Sequence, residues 1–290
     1  MHLLLPLASS LLYVIAALFL KQAATRGVGV WRTGFVCNLM TAALFLVLWP
    51  LGGDFPGITQ LYQPAVVAAL FVGGQMSTFL ALERGDVSVA TPVMGAKVIL
   101  VAFFTTWITA EPVRPALWGA AGLSCLGIGL LNWGGSARRH HHVPQTIWLA
   151  LQAAAAYALF DVLVMKWAPA WGTGRFLPVT MLMGGVLSLA FVPLFHERLS
   201  VLGRTDWRVL LSGGLFMAVQ AVVLVTTLAK FGDATAVNVI YSLRGLWSVT
   251  AVWLVGHWFA NRERAIGAQG MRWRLAGAAL LSAAVVLVFV

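Results

Sequence analysis

Ten apolar stretches, at roughly 3–20, 30–50, 63–82, 88–109, 116–134, 146–165, 176–195, 208–229, 235–259 and 273–290, run through this chain with only short polar connections between them. Most are close to the roughly 20 residues that a helix needs to span the hydrocarbon of a bilayer. In lipid every backbone N–H and C=O must be bonded within its own segment or within a closed barrel, so stretches of this kind fold as helices and exclude open sheet. The predicted fold class is an all-α polytopic membrane protein with ten transmembrane helices. No soluble core requires a chain that is 60% hydrophobic and only 10% charged. The first stretch is not followed by a hydrophilic mature region, so a cleaved signal peptide is not expected.

The order of motifs repeats. Gly85-Asp86 is followed by a stretch carrying Lys97, and Gly232-Asp233 by one carrying Arg244; both pairs lie 147 residues apart (85 to 232, 97 to 244). Upstream, Leu70-Phe71 with Gln75 answers Leu215-Phe216 with Gln220, and Tyr13 with Lys21 resembles Tyr157 with Lys166. Downstream, Glu111 answers Glu263. The chain therefore divides into a first five-helix repeat over 1–136, a basic, His-containing linker over 137–145 and a second repeat over 146–290. Five is odd, so the second copy enters the membrane from the opposite side. Inverted repeats are a recurrent build of secondary transporters, with the substrate near the midplane between the halves.

Lys97 and Arg244 are the charges that matter most. A cation at the centre of a membrane helix costs at least about 2.5–3.5 kcal/mol, and it normally faces a cavity, a counter-ion or a substrate. Lys97 lies about ten residues from the nearer end of its stretch, or roughly 15 Å at 1.5 Å per residue, too far for comfortable snorkelling. The bland alternative is a structural pair with Asp161, the other ionised residue clearly inside a span. One aspartate does not neutralise two cations, so a net positive centre remains. Asp161 itself is either a proton-coupling site or a structural counter-ion. Gln75 and Gln220 are candidate donors to substrate oxygens, or simply interhelical bonds. Tyr13, Tyr157 and Tyr241 are candidate cavity walls, as is Trp247 in Arg244-Gly245-Leu246-Trp247, where the glycine permits close approach.

Other features have plainer explanations. Lys21, Arg26, Arg32, Arg84, Arg138, Arg139, Arg198, Arg204, Arg208, Arg262, Arg264, Arg272 and Arg274 fall on one side of the membrane, against Arg114, Lys166, Arg175 and Lys230 on the other. The richer side is cytoplasmic by the positive-inside rule, which puts both termini outside. The net charge of +10 thus reflects topology, and nucleic acid is not an expected partner because the basic residues are scattered over short loops. Arg138-Arg139-His140-His141-His142 sits in one of those loops and reads as an orientation signal ahead of a metal tract. Cys37 and Cys125 lie in apolar runs, where the side chain packs, and neither a disulfide nor a metal site is expected. No Walker pattern and no nucleophile–base constellation is present, so neither a nucleotide-driven pump nor an enzyme is expected. Gly119, Gly122, Gly127 and Gly129 serve either packing within the chain or dimerisation, and the oligomeric state stays open.

Leu-Phe-Leu-Lys (18–21), Ala-Leu-Glu-Arg-Gly-Asp-Val-Ser-Val-Ala-Thr-Pro (81–92) and Ala-Glu-Pro-Val-Arg-Pro (110–115) resemble the drug/metabolite transporter superfamily, in particular its ten-helix EamA-type members. The resemblance implies a transporter of the bacterial inner membrane that uses no cofactor and works by alternating access on a small-molecule substrate, with protons or a counter-substrate as the coupling species. The single-repeat small multidrug-resistance relatives carry a membrane glutamate where this chain has the neighbourhood of Tyr13, which argues against proton-for-drug-cation exchange. Phosphate-carrying relatives hold their substrates with a lysine and an arginine that Lys97 and Arg244 resemble. The expected function is secondary transport of a small anionic or zwitterionic metabolite, a carboxylate or phosphate held by Lys97 and Arg244. The alternatives are a proton-coupled exporter of amino acids or drugs working through Asp161, and a lipid flippase or accessory subunit of a lipid-modifying pathway.

Overall fold

The computed structural model describes residues 3–84, 90, 93–110, 112–131, 143–247, 250 and 268–289. Gly85-Asp86, Pro92, Glu111, most of the 137–145 linker with its histidines, and Arg262, Glu263 and Arg264 lie outside the described residues. Within them are ten α-helices and no strand: α1 (Leu4–Thr25), α2 (Val30–Phe45), α3 (Tyr62–Arg84), α4 (Lys97–Thr109), α5 (Pro115–Leu131), α6 (Val143–Trp171), α7 (Thr173–Leu187), α8 (Arg204–Phe231), α9 (Ala234–Tyr241) and α10 (Ala268–Val288). Six helical segments are long and apolar enough to cross a membrane, and α4 and α5 are shorter apolar helices. The fold is that of an all-α, multi-pass membrane protein. The fourth expected span is shorter in its continuous part than its apolar run, because the helix is interrupted just before Lys97.

That interruption occurs twice, with the same hydrogen bonds. In the first half Ala96 N–H donates to Val93 O at 3.0 Å, Val98 N–H to Gly95 O at 3.3 Å and Leu100 N–H to Ala96 O at 3.0 Å. In the second half Leu243 donates to Ile240 at 3.1 Å, Gly245 to Ser242 at 3.0 Å and Trp247 to Leu243 at 3.0 Å. Every donor and acceptor is displaced by the same 147 residues as Lys97 and Arg244. The local causes differ. Gly95 is a poor helix former, whereas the Ser242 hydroxyl bonds back to Val239 O at 2.6 Å and so loosens the turn it sits in.

A second pair of matched devices flanks α2 and α7. Gly29 and Gly172 cap these helices with nearly the same backbone, φ +81°, ψ 145° and φ +74°, ψ 142°, a positive φ that glycine adopts without strain. Both helices tighten at their far ends into 3₁₀ turns, Leu46–Leu51 with Pro50 and Ser188–Leu194 with Pro193. Gly232 ends α8, and the Asp233 carboxylate then caps α9 by accepting from Ala236 N–H at 3.1 Å.

The halves are interleaved. α1 lies along α8, α2 between α7 and α8, α3 on α6 and α7, α4 on α6, and α5 on α10. The glycines of α5 serve this internal packing at one point at least: Gly127 and Gly277 of α10 meet backbone to backbone, so that a Cβ on Gly277 would stand 2.7 Å from Gly127 O. Apolar side chains from both halves, including Phe45, Trp171, Phe176 and Leu228, form the largest buried cluster.

Polar contacts link the halves at both ends. At one end Arg26 Nε sits 2.6 Å from Asp206 Oδ1, and Arg32 Nη1 lies 3.6 Å from Glu197 Oε2. At the opposite end the cations meet main chain instead: Lys166 donates to Ile108 O at 3.0 Å, Arg175 to Trp49 O at 3.0 Å and Arg114 to Val288 O at 3.3 Å.

Candidate functional site

The two breaks point their cations at one polar centre assembled from α1, α4, α6, α8 and α9. Lys97 Nζ is 2.7 Å from Asp161 Oδ2, and the two side chains are 13% and 3% exposed. The same carboxylate oxygen accepts a hydrogen bond from Asn238 Nδ2 at 2.7 Å, and that amide also donates to Ala234 O at 2.9 Å. A buried pair held this way is specific in geometry even where its net contribution to stability is small.

Arg244 has a different environment. Its guanidinium stands over the Tyr13 ring at 4.9 Å and the Tyr241 ring at 4.5 Å, while the two rings meet edge to face at 6.1 Å. Among the described residues no carboxylate forms an ion pair with Arg244. Lys97 also approaches an aromatic face, with Nζ 6.0 Å from the Tyr157 ring centre. The Lys97 and Arg244 charges are near enough to repel one another. Among the described residues, with Asp161 matched to Lys97, the centre retains one net positive charge, and Arg244 carries it.

Tyr241 is fixed from its far side. Its hydroxyl donates to Gln220 Oε1 at 2.9 Å, and Ser9 donates to the same oxygen at 3.1 Å. Gln220 therefore belongs to the centre as the support of an aromatic wall. Gln75, its match in the repeat, does not share that role, since its Oε1 accepts from Asn38 Nδ2 at 2.7 Å on α2. Trp247 packs with Leu131, Leu243 and Leu281, and its buried indole N–H has no protein partner among the described residues. Of the residues singled out in the sequence, the structure brings together Lys97, Arg244, Asp161, Tyr13, Tyr157, Tyr241 and Gln220. It adds Asn238 and Ser9. Asn238, an amide inside an apolar run six residues before Arg244, carried a usable signal; Ser9 carried none.

A cavity of about 400 Å³ lined by Ile108, Thr109, Met165, Lys166 and Gly232 opens at one end of the bundle. A second, of about 380 Å³, opens at the other and is bordered by Trp31, Arg32, His196 and Glu197. Asp161 lies five residues before Lys166 on α6, about 7 Å along the axis, so the charged centre sits inward of the first cavity.

Residues 1–133 match the sequence profile described as the EamA-like transporter family. A solved structure, described as the crystal structure of a protein, is similar at a TM-score of 0.77 and 16% identity, covering 100% of this chain and 98% of that one. At that identity the likeness is one of fold. No curated protein matches the chain.

Proposed function

We infer, from an EamA-like transporter unit that occupies residues 1–133 of an all-α membrane protein, that this chain is a secondary transporter of a small metabolite bearing a carboxylate or phosphate. Alternating access between two inverted five-helix halves, 1–136 and 146–290, carries the substrate across a bacterial inner membrane, with both termini outside. The matched helix breaks and matched caps support the repeat, and the distribution of Lys and Arg supports the orientation.

The observation that carries the substrate class is the isolation of Arg244. Its positive charge is held between two tyrosine faces with no carboxylate beside it among the described residues, and a planar guanidinium suits bidentate binding of a carboxylate or phosphate. Lys97 takes a second part: it meets the substrate after leaving Asp161. Tyr13, Tyr157 and Tyr241 form the walls, with Gln220 supporting Tyr241 from behind, Gln75 engaged with Asn38 on α2, and Trp247 one turn beyond Arg244.

Thermal unfolding of purified protein against a panel of carboxylates, phosphates, amino acids, amines and phospholipid head groups tests this reading, since a ligand of the folded state raises apparent stability. Carboxylates or phosphates are expected to stabilise the wild type and to lose their effect in Arg244→Gln. Equal stabilisation of that variant, or a response to amines alone, sinks it.

The Lys97–Asp161 pair favours proton coupling as the driving reaction. Protonating Asp161 removes the charge that engages Lys97 and releases a second cation to the substrate. Flux through Asp161→Asn is then expected to lose its dependence on pH, and an unchanged pH profile counts against coupling at this residue.

A further inference from the structure

The two helix breaks are separated by 147 residues of sequence yet are touched by neighbouring residues of one helix. On α5, the Cys125 thiol donates to Gly95 O at 3.2 Å. Beside it the Ser124 hydroxyl meets the Ser242 hydroxyl at 3.4 Å. Gly95 and Ser242 are matched positions, each two residues before its cation and each the acceptor of the tightened turn through which the helix resumes, from Val98 and from Gly245. Ser124 is fully buried and Ser242 nearly so. The Ser124–Ser242 contact is therefore shielded from water; Gly95 O keeps Val98 N–H and the Ser242 hydroxyl keeps Val239 O when either tie is lost, so what each contact adds is the link to α5.

We propose that Ser124 and Cys125 are positioning residues that fix the spacing of Lys97 and Arg244 by tying both helix breaks to one turn of α5. The part of this that concerns substrate rests on the transport reading above. A side chain two residues beyond a break turns by roughly 200° and advances about 3 Å relative to the break, so any shift at Gly95 or Ser242 is transmitted directly to the cation that follows. A site whose two charges sit on separate breaks needs something outside both to set their separation. Cys125 is thus more than a packing residue, which is all its place in an apolar run indicated.

Hydrogen exchange over segments 93–100 and 240–247 tests the tie without a ligand. Cys125→Val, which removes the donor at similar volume, is expected to raise exchange in both segments; Cys125→Ser, which keeps a donor, is expected to leave both near wild type. Ser124→Ala provides a second, gentler cut with the same expected spread to both segments. A rise confined to the segment that the altered residue touches, or a Cys125→Ser variant that behaves like Cys125→Val, overturns the proposal. With phosphate and glutamate as probes, affinity is expected to fall about tenfold or more in Cys125→Val although Lys97 and Arg244 are intact, as displacements near 1 Å have large consequences in preorganised sites, and to return in Cys125→Ser. Unchanged affinity beside linked exchange overturns the positioning role, whereas a wild type that responds to no anion while exchange is linked overturns the transport-site reading alone.

Discussion

Asp161 is nearly excluded from solvent and depends on Lys97 for its counter-charge. Removing that partner leaves a carboxylate stranded in the bundle, so Lys97→Gln is expected to lower stability by about 3–5 kcal/mol. The double variant Lys97→Gln/Asp161→Asn removes both charges and should recover most of the loss. Apparent melting temperatures in one detergent compare the two, and a double variant as unstable as the single one contradicts the pairing. Arg244→Gln forfeits the contacts with the Tyr13 and Tyr241 faces, worth about 1–2 kcal/mol together. Tyr241→Phe keeps the ring over Arg244 but deletes the hydrogen bond to Gln220, with an expected cost of about 0.5–1.5 kcal/mol. Two cations at matched positions in sequence should therefore differ severalfold in structural weight, and the ratio is measurable in one series of melts.

Among the helices, a close main-chain approach that a single methyl tests is α5 on α10. A Cβ on Gly277 would meet Gly127 O at 2.7 Å and Leu131 N at 2.8 Å, main-chain atoms that move only with their helices. Gly277→Ala is expected to cost about 1–3 kcal/mol, while Gly129→Ala, with open space around it, should be close to neutral; equal melting temperatures for the two contradict this packing. Hydropathy made six of the spans legible because those segments are long and apolar enough to cross a bilayer. It concealed the helix breaks, because Gly95 and Ser242 are unlike residues that reach one backbone geometry by different means. The matched cations were legible from the repeat, but the choice of Asp161 by Lys97 was one of two open alternatives until α6 was seen beside α4. The glutamines show the limit of such reasoning: Gln75 and Gln220 are equivalent in sequence, yet one answers Asn38 and the other Ser9 and Tyr241, because partners come from helices that the repeat does not fix.

The molecule as a whole is two interleaved halves, so neither has its main packing partners within itself, and both ends are held by contacts across them. The Arg26–Asp206 pair is exposed to solvent, and ion pairs of that kind contribute little to stability. Asp206→Asn should accordingly leave the melting temperature almost unchanged and raise hydrogen exchange over 196–206 without altering exchange around Lys166; a large drop in stability, or a rise at both ends, contradicts that assignment. The opposite end is linked by Lys166, Arg175 and Arg114 on the main-chain oxygens of Ile108, Trp49 and Val288. A carbonyl is present whatever side chain its residue carries, so positions 108 and 288 are free to vary without losing the acceptor, whereas Trp49 also offers its ring to the Arg175 guanidinium at 4.5 Å. At the other end the Arg26–Asp206 pair depends on both its members, whereas Arg32 has a main-chain acceptor across the halves, Arg198 O at 3.4 Å, beside Glu197. The contacts of one molecule are thus open to mutational drift to different degrees, and the Arg26–Asp206 pair is the one that a single substitution can remove from either side.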